Sequence, residues 1–226
     1  MTTFDPRRLK LLSFDVFGTL IDVRSSSKAA FEKILAEAGA GHVDVKSFWE
    51  TWEEYNIQAY WGPYRGYREI CRDSLSKAFA TFAIPGKADA IRHYFEAFPG
   101  FRLFPDVIDT LARLSGRTRL AVVSNIDDDL LAATPVPDAF GLICTAERAR
   151  GYKPDGTLFR YLIENAGVDR SEIFHSGQSQ FTDLVGAKPL GLRVAWINRR
   201  GVALDQNVPR PDIILADVAG LLRHLA

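Results

Sequence analysis

Residues 11–22 read Leu-Leu-Ser-Phe-Asp-Val-Phe-Gly-Thr-Leu-Ile-Asp, an apolar run that stops on a carboxylate before a Gly-Thr turn. Leu11 to Phe14 have the character of a parallel strand covered on both faces, where hydrophobic alternation disappears. An aspartate at the end of such a strand is costly without hydrogen bonds or a counter-charge, so Asp15 requires partners. Open α/β sheets bind ligands at the carboxyl ends of their strands. A lone aspartate there otherwise caps the next turn.

Two regimes follow. Between about Arg24 and Pro99 the pattern is helical, with no strand. Ser25 to Ser27 offer caps for a first helix that Gly39 stops, and a second starts at Asp44 and carries Phe48, Trp49, Trp52 and Tyr55. Gly62-Pro63 breaks it, a third helix is predicted over 64–82, and a fourth follows Pro85-Gly86 and reaches about Ala97. After Pro105 helices and strands alternate. Strands are predicted over 119–124, 141–145, 173–176, 192–197 and 212–215. The intervening helices start near Pro105-Asp106, at Asp127, at Pro154 and at Phe181, and a last one closes the chain. The three aspartates at 127–129 suit the positive N-terminus of their helix. Such alternation implies a parallel sheet with right-handed crossovers. The fold class is therefore α/β: a Rossmann-like core over 1–22 and 99–226, with 23–98 inserted as a helical cap.

Composition narrows the partners. Lysine plus arginine equals aspartate plus glutamate at 28 each, so no charge footprint favours nucleic acid or an anionic membrane. No signal-type segment and no run of 18 apolar residues is present, which predicts a soluble, cytoplasmic protein. Cys71 and Cys144 are far apart and read as small buried hydrophobes. His42, His93, His175 and His224 are scattered and give a zinc site little to build on.

The run FDVFGTL resembles the first motif of the haloacid dehalogenase (HAD) superfamily, D-x-[DYF]-G-T-[LV]. Three further matches lie downstream in the expected order: Ser124-Asn125 after a strand, Tyr152-Lys153-Pro154-Asp155 opening a helix, and Gln178 to Asp183 after another strand. By this resemblance Asp15 is the nucleophile that forms an aspartyl ester. Lys153 pairs with it and keeps it ionised, and Asp183 orients Lys153 or the hydrolytic water. Thr19, Ser124 and Asn125 resemble the donors that hold the substrate carboxylate and the departing halide, or else make turn and cap hydrogen bonds. Gln178 and Ser179 are substrate-side candidates in the same sense, with helix capping as their plain alternative. Family resemblance also makes a homodimer plausible, though no segment identifies an interface.

Phe17 separates two reactions. Phosphatases of the superfamily place a second aspartate there to protonate a departing alkoxide. A halide leaves without a proton, and a phenyl ring cannot donate one. The last motif agrees: Gln178 stands where a metal-binding aspartate is usual, and Asp183 follows five residues later, the dehalogenase spacing. Losing one carboxylate weakens a Mg²⁺ site. The resemblance therefore implies hydrolysis of short 2-haloacids to 2-hydroxy acids, with no metal or other cofactor. The alternative is a phosphatase for a small phosphoester or acyl phosphate with a weakened Mg²⁺ site, and a third reading is an idle HAD fold that only binds. Two departures bear on the substrate. Glu50 stands where the dehalogenases carry a halide-binding arginine early in the second cap helix, and Phe159 replaces the tyrosine six residues after the motif lysine. Trp61, Arg65 and Arg68 are candidates to close over Asp15 instead, with helix packing and surface charge as the alternative.

Overall fold

A computed structural model describes residues 6–225. The predicted ends of the core at residues 1 and 226 lie outside the described residues. The first strand, β1 (Leu11–Phe14), is followed by four helices: α1 (Val23–Glu37), α2 (Val45–Ala59), α3 (Tyr67–Thr81) and α4 (Arg92–Glu96). Then come α5 (Val107–Ser115), β2 (Arg119–Ser124), α6 (Asp128–Ala132), β3 (Leu142–Thr145), α7 (Ala146–Ala149) and α8 (Thr157–Asn165). The chain ends with β4 (Ile173–Gly177), α9 (Val185–Ala187), β5 (Arg193–Ile197), β6 (Ile213–Leu215) and α10 (Gly220–His224). Among the described residues no helix is long and apolar enough to cross a membrane.

The six strands form one sheet in the order β3-β2-β1-β4-β5-β6, and every pairing is parallel. β1 lies between β2 and β4, so the crossovers run to opposite sides of it. That reversal opens a crevice at the carboxyl ends of the strands, where α/β folds place ligands. Asp15, Ser124 and Gln178 follow or end three neighbouring strands and meet there. All four residues of β1 are buried, as its unbroken apolar run requires. Leu12 and Phe14 pack on one face in a core continuous with the helical block, whereas Leu11 joins Leu158, Phe159 and Leu162 on the other.

A chain of aromatic rings runs from the helical block to the nucleophile loop. Phe31 meets Trp52 at 4.9 Å between centroids, Trp52 meets Tyr94 at 5.0 Å, Tyr94 meets Phe98 at 4.9 Å, and Phe98 meets Phe17 at 5.6 Å. Tilted and edge contacts of this kind add to the area they bury.

Several helix ends differ from the sequence reading. Helix α1 starts at Val23 because Asp22 accepts the Ser25 N–H and caps it before the serines can. The helix expected at Pro154 starts at Thr157, after a turn with Gly156 at the N-cap. A residue before proline is excluded from helical backbone, so Lys153 is left free of helix constraints. The helix expected over 181–190 begins as a wide turn, Gln180–Leu184, in which the Leu184 N–H reaches back five residues to Ser179. It ends in a tight turn over Lys188–Leu190. The aspartates at 127–129 also serve another helix. Asp127 accepts the N–H groups of Tyr67 and Arg68, capping α3, whose own Gly66 has no side chain to do so.

Phe98→Ala should cost about 3–5 kcal/mol, because a fully buried ring bridging two aromatic neighbours leaves a cavity. In a chain of this length the thermal midpoint should fall by roughly 10 °C, measured by circular dichroism.

Candidate active site

Asp15 leaves β1 with its N–H donated to Ser176 O at 2.9 Å, which pins it to the neighbouring strand. Gly18 adopts φ +85°, a left-handed turn that glycine makes without steric cost, and a Cβ there would come within 2.9 Å of the Gln178 side chain. The turn brings Thr19 back to the carboxylate, and Thr19 Oγ1 donates to Asp15 Oδ2 at 2.6 Å. The same hydroxyl accepts the Gln178 N–H at 2.9 Å, and Gln178 O accepts Trp196 Nε1 at 2.9 Å. Arg199 locks the turn from outside. Its guanidinium donates to Thr19 O at 3.0 and 2.8 Å and to both oxygens of Asp106 at 2.9 and 3.0 Å, while stacking on Phe104.

Lys153 is 1% exposed and its ammonium has three partners for three protons. Nζ donates to Asp15 Oδ1 at 2.8 Å, to Asp183 Oδ1 at 2.7 Å and to Val123 O at 2.9 Å. Its backbone is held as firmly. Asn125 accepts the Lys153 N–H at Oδ1 and donates Nδ2 to Lys153 O, both at 2.8 Å.

Asp183 is fully buried. Its Oδ2 accepts the Ser179 N–H at 3.0 Å, and its Oδ1, beyond Lys153, lies 3.1 Å from His175 Nε2. A Cβ on Gly177 would come within about 2.3 Å of this carboxylate, so the glycine makes room for it. The wide turn at Gln180–Leu184 accommodates the five-residue step from Gln178 and swings Asp183 inward; such turns are frequent at functional sites.

Burial works against every charge in the cluster. For Asp183 the Lys153 ammonium and the His175 hydrogen bond outweigh it and hold the carboxyl well below the usual carboxylate range. For Lys153 the two carboxylates outweigh it and raise the ammonium above its ordinary value. For Asp15 burial prevails over Lys153, with repulsion from Asp183 added, and the carboxyl lies above its ordinary range. Two carboxylates share one ammonium, and the nucleophile candidate carries the less stabilised charge.

Asp15 opens onto a cavity of about 300 Å³ between the strand ends and the helical block. Phe17, Ser124, Asn125, Lys153, Gln178 and Ser179 border it from the core side. Ser124 Oγ is buried beside it with no hydrogen-bond partner among the described residues. From the block come Trp52, Tyr60, Tyr67 and Tyr94, and burial keeps the three phenols neutral. Arg24 and Arg200 add positive charge at its edge.

The family model for haloacid dehalogenase-like hydrolase matches residues 9–191. The chain belongs to this family. It is 26% identical over 227 residues to haloacetate dehalogenase H-2 of Moraxella sp. (strain B), covering 97% of this chain and 99% of that one. It is 26% identical to the (S)-2-haloacid dehalogenase of Pseudomonas sp. (strain YL), over 90% and 89% of the two chains. The fold is similar to that of the L-2-haloacid dehalogenase from Xanthobacter autotrophicus with chloropropionic acid covalently bound, with a TM-score of 0.80, 22% identity and coverage of 95% and 97%.

As a member of the haloacid dehalogenase-like hydrolases, the chain brings Asp15, Thr19, Lys153 and Asp183 together at one point, and three of the residues singled out in the sequence, Trp61, Arg65 and Arg68, lie elsewhere. Trp61 is 59% exposed, and Arg65 pairs with Glu69 and Asp73 on the surface. Neither borders the cavity, because α3 starts only at Tyr67 and the preceding turn points outward. Arg68 is likewise engaged, with Asp129 at 2.8 Å. Glu50 pairs with Arg24 at 2.9 Å, so the block's guanidinium at the cavity comes from the start of α1. Asn125 spends its amide on Lys153, and Ser179 Oγ accepts the Thr182 N–H. Arg199, His175 and Ser13 were not anticipated. The one signal for His175 was a histidine inside a strand with no polar face.

Two substitutions test the charge balance. Lys153→Met should destabilise the protein by about 3–5 kcal/mol, since it leaves two buried carboxylates without their cation. Asp15→Asn should stabilise it near neutral pH, because it removes the charge that burial and Asp183 disfavour. A carboxyl raised by folding binds protons more tightly in the native state, so its contribution falls as pH rises from the unfolded range through the raised value. Urea titrations at pH 4 and pH 7 should show the gain from Asn at the higher pH only.

Proposed function

We propose that the chain is a hydrolytic dehalogenase of short 2-haloacids that works through an ester on Asp15. The observation that carries this reading is the pairing of a carboxylate at the cavity, short of counter-charge, with a neutral Phe17 two residues on. Asp15 displaces the halogen at C2: a carbon–oxygen bond forms, the carbon–halogen bond breaks, and the halide leaves with its electron pair. Alkylation removes one negative charge from a cluster with too many, leaving Lys153 and Asp183 as a balanced pair. No proton donor is needed, which suits the phenyl ring of Phe17 beside the nucleophile.

In the second step water adds to the Asp15 carboxyl carbon. Lys153 on Oδ1 and Thr19 on Oδ2 are placed to stabilise the charge that grows there without reorganising. The ester bond then breaks, releasing a 2-hydroxy acid and one proton. Ser124 Oγ, with its hydrogen unspent, is a donor for the substrate carboxylate. Residues 23–98 act as a cap that keeps bulk water from the nucleophile.

The donor set favours this reaction over metal-assisted phosphate transfer. Gln178 is neutral, and both oxygens of Asp183 are committed to Lys153, His175 and Ser179. Among the described residues no group of three His, Cys, Asp or Glu side chains is arranged to hold a metal ion. With Gln178 neutral and the Asp183 oxygens engaged, few anionic oxygens remain for a divalent cation, so the residues present fit one poorly. A relative of similar fold holds chloropropionic acid covalently, which accords with an ester route.

Halide release from the 2-chloropropionate enantiomers and from chloro- and fluoroacetate, measured with EDTA present, tests the reading. Wild type should release halide from at least one of them, and Asp15→Asn should lose activity by a factor of about 10⁴ or more. No release from any of the four, or loss of release on chelation, would overturn it.

A further inference from the structure

Behind the lysine stands a second line of polar side chains to which the proposed reaction assigns no role. Ser13 of β1 and His175 of β4 are register partners in the central pair of strands, and both are fully buried. Ser13 Oγ lies 2.9 Å from His175 Nδ1, and His175 Nε2 lies 3.1 Å from Asp183 Oδ1. Phe159 meets the imidazole edge-on at 4.8 Å. An ionised Asp183 can only accept, so Nε2 carries a proton and donates it. In the neutral ring Nδ1 then accepts, and the Ser13 hydroxyl is the donor that selects this tautomer.

The same Asp183 oxygen takes the proton from Lys153. Asp183 does not border the cavity; it acts on Asp15 by repulsion across the cluster and through the ammonium it holds. Apolar side chains would fill two central strands at lower cost than a serine and a histidine, and a fully satisfied network there fixes one arrangement.

We propose that His175 is a positioning residue: held in its Nε2–H form by Ser13 and Phe159, it fixes Asp183, and Asp183 clamps Lys153 on Asp15. The role in turnover rests on the dehalogenase reading; the line of hydrogen bonds does not. A group that orders the cluster without touching substrate acts on kcat and leaves KM alone.

Variants of the full chain separate this from a structural role. His175→Leu deletes both ring nitrogens, His175→Gln keeps a side-chain N–H, and Ser13→Ala removes only the hydroxyl. With 2-chloropropionate, kcat per folded enzyme should fall about 10–100-fold in His175→Leu, the loss expected for one hydrogen bond to a charged group, with KM within about threefold. His175→Gln should recover most of that loss. Ser13→Ala should cost about threefold in wild type and nothing further on the Leu background, since both act through one ring. Nitrogen-15 NMR of wild type should show His175 protonated at Nε2. A kcat for His175→Leu within about twofold of wild type, or additive effects at the two positions, would overturn the proposal. If His175→Leu does not fold, His175→Gln and Ser13→Ala carry the kinetic test. If wild type releases no halide, the dehalogenase reading falls, and NMR decides the hydrogen-bond line alone: a ring protonated only at Nδ1 overturns it, and Nε2–H upholds it.

Discussion

One ammonium serves two buried carboxylates, and the arrangement around it follows from that shortage. Lys153 offers three protons, and Asp15, Asp183 and Val123 O take all three. Asp183 is compensated further by His175 and a backbone N–H, whereas among the described residues Asp15 has only Thr19 besides the lysine. The two acids move in opposite directions as a result, Asp183 down and Asp15 up. Of the two carboxylates that share Lys153, the chain thus leaves the unfavourable charge on the one that faces the cavity. Such a group loses little by becoming an ester, which is what a nucleophile must do.

The fold delivers these side chains from distant stretches. β1 ends at the reversal of strand order, so Asp15 lies between the ends of β2 and β4, which supply Ser124 and the Gln178 segment. Lys153 sits in a turn that proline bars from helix, and Asn125 fixes that turn by a reciprocal amide pair. Asp183 arrives through a widened helical turn. The aromatic chain from Phe31 to Phe17 ties the helical block to the same point, and Asp127, reaching out to cap α3, ties it from the other side. Arg199 joins the nucleophile turn to Asp106.

Much of this was legible in the residues. The unbroken run before Asp15 foretold a strand buried on both faces, and the shift of rhythm at Pro105 foretold the alternation that builds the parallel sheet. Asp15, Lys153 and Asp183 were recoverable because motif spacing is a local property. What escaped depends on tertiary partners. Trp61 and Arg65 flank the helix-breaking Gly62-Pro63, and sequence cannot say which way such a turn points. Asp127 looked like a cap for its own helix, because nothing local reveals that α3 lacks one. Arg199 carried no signal in the sequence, and His175 read as one scattered histidine among four, since the register that pairs it with Ser13 belongs to the sheet.

In the ester route Asp15 itself is alkylated, and water then opens the ester at its carboxyl carbon. A single turnover with enzyme in excess over 2-chloropropionate, run in ¹⁸O-labelled water and read by mass spectrometry, tests it directly. Label is expected in the Asp15 side chain, with a 2-hydroxypropionate that carries an unlabelled oxygen taken from it. Label in the product with none in Asp15 would mean that water attacks the substrate carbon directly, and would contradict the account.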